Sequence, residues 1–287
     1  MSIQLNNVTH TYMPGTPFEK VALENINLEI KEGEFVAVIG HTGCGKSTLV
    51  QHFNGLLKPD SGKGSVIVDG VGIEKKNLVD VRKKVGLVFQ YPEHQLFEQT
   101  VYKDIAFGLR KLKLSEEEEA KRVFEAADMV GLDRNLMDRS VYELSGGQKR
   151  RVAIAGVLVM KPSYLVLDEP AAGLDPEGKN DMLRFAKKLN REHGTTIVLI
   201  SHCMEDVADY AGRVIVMDDG KIILDGTSQY VFSKHELLKS IDLDIPEITK
   251  LFLELKKLNP DVDDNVFTVD DAVNAIEKMR LKGVCRL

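Results

Sequence analysis

The residues with the clearest chemical use are Gly40-His41-Thr42-Gly43-Cys44-Gly45-Lys46-Ser47-Thr48, which fit the pattern G-x-x-x-x-G-K-[ST]. The apolar run Val36-Ala37-Val38-Ile39 precedes them, and a helical run from Leu49 to Asn54, ended by Gly55, follows. Strand, turn and helix are the context this motif requires. Glycines let backbone N–H groups curl around phosphate oxygens without Cβ clashes. The helix N-terminus adds partial positive charge. Lys46 is expected to reach the β- and γ-phosphates of ATP, and the Ser47 hydroxyl to ligate Mg²⁺. Cys44 stands inside this loop, where a small residue fits. A helix N-terminus can also lower a thiol pKa, so alkylation by a maleimide should inactivate the protein and MgATP should protect it.

A second chemical feature is the acid pair Asp168-Glu169, which ends the apolar run Tyr164-Leu165-Val166-Leu167. In open α/β sheets, ligands bind beyond the carboxyl ends of strands. Asp168 is suited to hold Mg²⁺ through water, and Glu169 to act as general base on an attacking water. Such a base contributes about 10²–10⁴-fold.

The elements that must position these groups can be read from periodicity. Residues 1–70 read as short strands and turns, with residues 65–70 a strand running into a turn. From about 75 to 160 the pattern is mostly helical, and Ser115 with Glu118 forms a capping box. Beyond 164 the pattern alternates: a strand, a helix near 177–192, and the strand Thr195-Thr196-Ile197-Val198-Leu199-Ile200. A hairpin turns at Asp218-Asp219-Gly220. The alternation implies a largely parallel α/β sheet. Past a composition break near 230–245, Ile248, Leu251, Phe252, Leu255 and Leu258 recur at helical spacing after Pro246. Asn259-Pro260 stops that helix, and Thr268 with Asp271 caps another.

Composition narrows the class further. The chain has 287 residues, 43% hydrophobic, with a formal net charge of -6. That balance disfavours a nucleic-acid partner, because phosphate contacts need clustered Lys and Arg. The three cysteines, Cys44, Cys203 and Cys285, form no C-x-x-C pair and fit a reducing compartment. The first residues lack a basic segment followed by an apolar one, so no signal peptide is expected. Apolar runs such as 152–160 fall short of the roughly 20 residues that span a bilayer.

The stretch Leu144-Ser145-Gly146-Gly147-Gln148 resembles the signature motif of the ABC (ATP-binding cassette) ATPases, and the other family motifs match in order. Gln90 resembles the Q-loop glutamine, Ala172-Gly173-Leu174-Asp175 the D-loop, and His202 the switch histidine that contacts the γ-phosphate. Tyr12 occupies the place of the aromatic that stacks on adenine. The resemblance implies an α/β fold with a RecA-like core, an N-terminal β-subdomain and a helical subdomain over residues 1–229. It also implies that Gln90 attends Mg²⁺ and that Ser145, Gly146, Gly147 and Gln148 complete the nucleotide site of a second subunit.

Residues 12–19 and the Q-loop Phe89-Gln90-Tyr91-Pro92-Glu93-His94-Gln95-Leu96-Phe97 are similar to those of energy-coupling factor (ECF) transporter ATPases, most like the second of a related pair. This resemblance implies uptake of vitamins or metal ions and a peripheral position on the cytoplasmic side of the cell membrane. The implied partners are a second ABC ATPase, identical or related, a transmembrane coupling subunit docking near residues 90–100, and a substrate-binding membrane subunit. Residues 230–287 would then be a small helical C-terminal domain that aids dimerisation. The competing readings are an ATPase of a conventional importer and a soluble ABC protein acting on ribosomes or DNA. Against the latter stand the single cassette and the acidic balance.

Overall fold

In a computed structural model, residues 1–281 are described; residues 282–287, Cys285 among them, lie outside these. Two strands, β1 (Ser2–Tyr12) and β2 (Lys20–Lys31), pair antiparallel. Next come β3 (Phe35–Ile39), α1 (Lys46–Phe53), β4 (Ser65–Val68) and β5 (Val71–Gly72). Strands β2, β1, β4 and β5 form one four-stranded sheet in that order.

The second sheet is built from later elements. Helix α2 (Leu78–Lys84) leads into β6 (Val85–Val88). Helices α3 (Val101–Ala106), α4 (Glu116–Met129) and α5 (Gly146–Leu158) follow, then β7 (Tyr164–Asp168), α6 (Pro176–His193) and β8 (Thr196–Ile200). Helix α7 (Met204–Tyr210) precedes the hairpin of β9 (Arg213–Asp218) and β10 (Lys221–Thr227). The order is β10-β9-β3-β8-β7-β6, and all neighbours but β9 and β10 are parallel.

The parallel strands β3, β6, β7 and β8 are buried on both faces, as parallel sheets require. Along β3, Phe35, Ala37 and Ile39 enter one core with the helices, while Val36 and Val38 enter the other with the first sheet. Strand β6 falls where a helical pattern is expected. Its Gly86 explains the placement: a Cβ there would lie 2.5 Å from Val157 on α5, so only glycine lets that helix pack so closely on the strand. The Ser115 cap forms, accepting from the Glu118 N–H at 3.2 Å. The Glu118 carboxylate, however, turns to Arg122 at 2.9 Å. The hairpin turns through Asp219 and Gly220, both at positive φ, as a type I′ turn demands.

Helices α8 (Ser228–Phe232), α9 (His235–Ser240), α10 (Glu247–Leu258) and α11 (Val269–Leu281) close the chain. The expected boundary lies at 229/230, and the packing on its C-terminal side is mixed. Val231, Phe232, Leu238 and Leu243 bury in the main core, so α8 and α9 belong to it. A separate small core of Phe252, Val262, Val266 and Ala272 joins α10 to α11. As read from the sequence, Pro246 starts α10, and Thr268 and Asp271 cap α11 reciprocally, each bond being 3.1 Å.

Candidate functional site

Four neighbouring parallel strands end at one place. Strand β3 runs into the glycine loop, β6 into Gln90, β7 into Asp168 and Glu169, and β8 into His202. The carboxyl ends of such strands are where the α/β architecture leaves room for a ligand.

The glycine loop is tightly held. Gly45 has φ +107, and a Cβ there would lie 2.4 Å from the Ala22 carbonyl, so a side chain is excluded on both counts. Lys46 is buried, and its Nζ donates to the carbonyls of Gly40 at 2.8 Å and His41 at 2.9 Å. His41 Nε2 lies 3.0 Å from Asp218, and the Gly220 N–H donates to the Cys44 carbonyl, so the β9–β10 hairpin braces the loop. Thr42, Gly43 and Ser47 are exposed along its rim. The Tyr12 hydroxyl lies 3.2 Å from Thr48 Oγ1, leaving a half-exposed ring beside the start of α1. Residues 13–19 form a compact turn between β1 and β2 that leaves Phe18 exposed.

Of the two readings of Cys44, burial favours a small residue that simply fits the loop. Its side chain is buried, and burial pushes the thiol pKa up, with nearby Lys46 only partly opposing this. Burial therefore works against attack by a maleimide, which must first reach the sulfur.

Asp168 is 6% exposed, and burial raises its carboxyl above the usual range against the pull of the Ser47 hydroxyl. Glu169 adopts a left-handed backbone, φ 49, and its N–H donates to the Ile200 carbonyl. That turn points its carboxylate at two other expected residues. Gln90 Nε2 donates to Glu169 Oε2 at 2.9 Å, and His202 Nε2 lies 2.7 Å from Glu169 Oε1. Three residues separated in sequence thus share one carboxylate. Ser47, Asp168 and Gln90 supply oxygen donors of the kind Mg²⁺ prefers.

The signature residues stand apart from this cluster. Ser145 caps α5, and Gln148 closes a capping box by accepting from the Ser145 N–H at 3.0 Å. Gln148 is therefore committed to its own helix start, while Gly146 and Gly147 present bare backbone. Gly147 and Asp175 line a cavity of about 460 Å³ with Leu174 and Gly178. Asp175 itself caps α6 through the Gly178 N–H at 2.8 Å.

Two pairs escaped sequence reading. Lys179 binds Asp206 at 2.9 Å and also donates to Cys203 Sγ, tying α6 to the segment after His202. Arg150 forms a two-point pair with Glu93 at 3.0 and 2.9 Å. The one available signal was phase: Arg150 shares the buried face of α5 with Ile154 and Leu158.

Comparison with known proteins gives a consistent picture. A family model described as ABC transporter matches residues 23–172. The "Energy-coupling factor transporter ATP-binding protein EcfA2" of Clostridium perfringens is 56% identical over 279 residues, covering 96% of this chain and 97% of that protein. The protein of the same name from Clostridioides difficile is 48% identical over 290 residues, covering 99% and 100%. Among solved structures, cbiO1 from Clostridium perfringens, described as part of the ABC transporter complex cbiONQ, superposes with TM-score 0.72 at 41% identity, covering 87% of this chain and 97% of that one. A dimeric ATP-binding cassette in a post-hydrolysis state with ADP and Pi gives TM-score 0.69 at 34% identity, covering 79% and 98%.

Proposed function

Because the chain belongs to the ABC transporter ATPases, and within them to the ATP-binding subunits of energy-coupling factor transporters, we propose that its strand-end cluster is the hydrolytic centre, with Glu169 as general base. The convergence of Gln90 and His202 on the Glu169 carboxylate carries this reading. Water attacks the γ-phosphorus of ATP, and its proton passes to Glu169. The bond to the bridging oxygen breaks, leaving ADP and phosphate. Gln90 and His202 hold the carboxylate, so it needs little reorganisation. Lys46 and the N–H groups of residues 40–48 cradle the phosphates, and Tyr12 offers its ring to adenine. Ser47, Asp168 and Gln90 would hold Mg²⁺, which when bound neutralises charge on the phosphate oxygens.

The site is half of a pair. Ser145, Gly146, Gly147 and Asp175 complete the nucleotide site of a second ATPase, which accounts for Gly147 and Asp175 lining a cavity separate from Glu169. The exposed rings of Phe97 and Phe107, edge to face at 4.8 Å beside the Q-loop, fit a docking groove for helices of a transmembrane coupling subunit. Among the described residues no helix is long and apolar enough to cross a membrane. By its kinship with the energy-coupling factor ATP-binding subunits, the chain works peripherally on the cytoplasmic side, and a separate membrane subunit selects the vitamin or metal ion. The α10–α11 unit strengthens the ATPase dimer through its exposed apolar residues.

Glu169→Gln tests the centre. The variant should bind ATP, accumulate as the closed dimer and lose turnover by about 10²–10⁴-fold. Substantial residual hydrolysis would remove Glu169 as the base.

A further inference from the structure

Arg150 lies in the second turn of α5 and is 5% exposed. A guanidinium is tolerated there only if its donors are bonded. Nε donates to Glu93 Oε2 at 3.0 Å, and Nη2 to Glu93 Oε1 at 2.9 Å. Nη2 also reaches the Ala172 carbonyl at 3.0 Å, and Nη1 the Pro170 carbonyl at 3.3 Å. These acceptors belong to two loops. Glu93 lies just beyond Gln90, and Pro170 directly follows Glu169. Gln90 itself donates to Glu169 at 2.9 Å. A ring therefore closes from Glu169 through Pro170, Arg150, Glu93 and Gln90 back to Glu169.

We propose that Arg150 is a positioning residue for ATP hydrolysis: it sets Gln90 and Glu169 relative to each other and fixes both against helix α5. It touches neither nucleotide nor the reacting atoms. The proposal rests on the reading of Gln90 and Glu169 given above. In that reading α5 begins at the residues that meet the partner's nucleotide. A displacement of α5 on dimer closure is then transmitted to this chain's own Glu169 through one guanidinium. The planar fork is essential. A lysine is a point charge and cannot hold both Glu93 oxygens and two carbonyls in a fixed plane.

The test uses the full chain, alone and with its co-purifying membrane chains, in steady-state ATPase assays. Arg150→Lys and Glu93→Gln should each lower kcat about 10- to 100-fold, the scale of a small misplacement of catalytic groups. KM for ATP should stay within about twofold, because ground-state binding is untouched. Arg150→Met combined with Glu93→Leu should lose no more than Arg150→Met alone, since Glu93 acts through Arg150. If Arg150→Met does not fold, Arg150→Lys, which keeps the positive charge, and Glu93→Gln, which keeps the side chain's size, carry the test. A wild-type kcat for Arg150→Lys, a change in KM alone, or losses that multiply in the double variant would each overturn the proposal. Glu169→Gln separates the two levels. If it keeps turning over ATP, the site reading fails; if it is inactive while Arg150→Lys is fully active, only the positioning role fails.

Discussion

The strand-end centre and the α10–α11 unit solve opposite problems. At the centre, polar groups that would be costly to bury are bonded to one another: Lys46 to two carbonyls, and Glu169 to Gln90 and His202. The parallel strands beneath them are buried on both faces, so their anchor points are rigid. In the C-terminal unit the excess is apolar. Phe252 is fully buried, yet Leu251 is 52% exposed and Leu258 85% exposed. Val269 and Val273 on α11 are exposed as well. One region bonds its polar side chains within the chain. The other leaves apolar surface that only another surface can cover.

The sharpest way to break this comparison is to empty the small core. Phe252→Ala should cost about 3–5 kcal/mol within the α10–α11 unit. Hydrogen exchange should show these helices opening while β3, β7 and β8 stay protected. Nucleotide binding should change little. Parallel loss of nucleotide affinity would show that the two regions are one cooperative unit, joined through Phe267, which packs into the main core near Phe232.

The same contrast explains what could be read from the chain alone. Lys46, Ser47, Asp168, Glu169, Gln90 and His202 follow apolar strands, and their types are dictated by phosphate and water chemistry. Type and place together were enough. Arg150 and Glu93 stand 57 residues apart, and neither carries a local signal of the other. Only tertiary packing brings them together. In α10 the apolar stripe was visible, but its division was not. Ile248, Phe252 and Leu255, at spacings of four and three, turn inward, while Leu251 and Leu258, seven apart, stay out. A broad stripe shows that a helix has apolar sides without showing which side meets its own domain. The composition break near 230 and the packing seen there report different things. A change in composition marks a change of surface, whereas α8 and α9 were claimed by the main core.

A medium effect sharpens the centre's side of the comparison. Burial pushes the Glu93 carboxyl up, but the Arg150 hydrogen bonds, a backbone N–H and the Arg150 charge together hold it below the usual range. A carboxylate with a lowered pKa contributes stability that is present above its unfolded value and lost as pH falls through its folded one. Glu93→Gln should therefore be less stable than wild type by about 2–3 kcal/mol near neutrality, somewhat under a fully buried pair because Glu93 is partly exposed. The gap in thermal midpoint should close as pH falls below the carboxylate range. A gap that stays constant into strong acid would mean the pair contributes shape rather than charge.

The smallest effect tests the other side. Leu258→Lys replaces an exposed leucine at the end of α10 with a residue of similar helix propensity, so the folded chain should keep its thermal midpoint. Its consequence should appear only in assembly. In a Glu169→Gln background with ATP, dissociation of the ATPase dimer should become about tenfold easier, or about 1.4 kcal/mol, as read by sedimentation. Leu251→Lys should act in the same direction, by less, because less of its surface is free to be covered. Were both variants to assemble as the wild type does, the exposed face would not be the dimer contact. The motif residues of Ser145–Asp175 would then have to hold the two ATPases together by themselves.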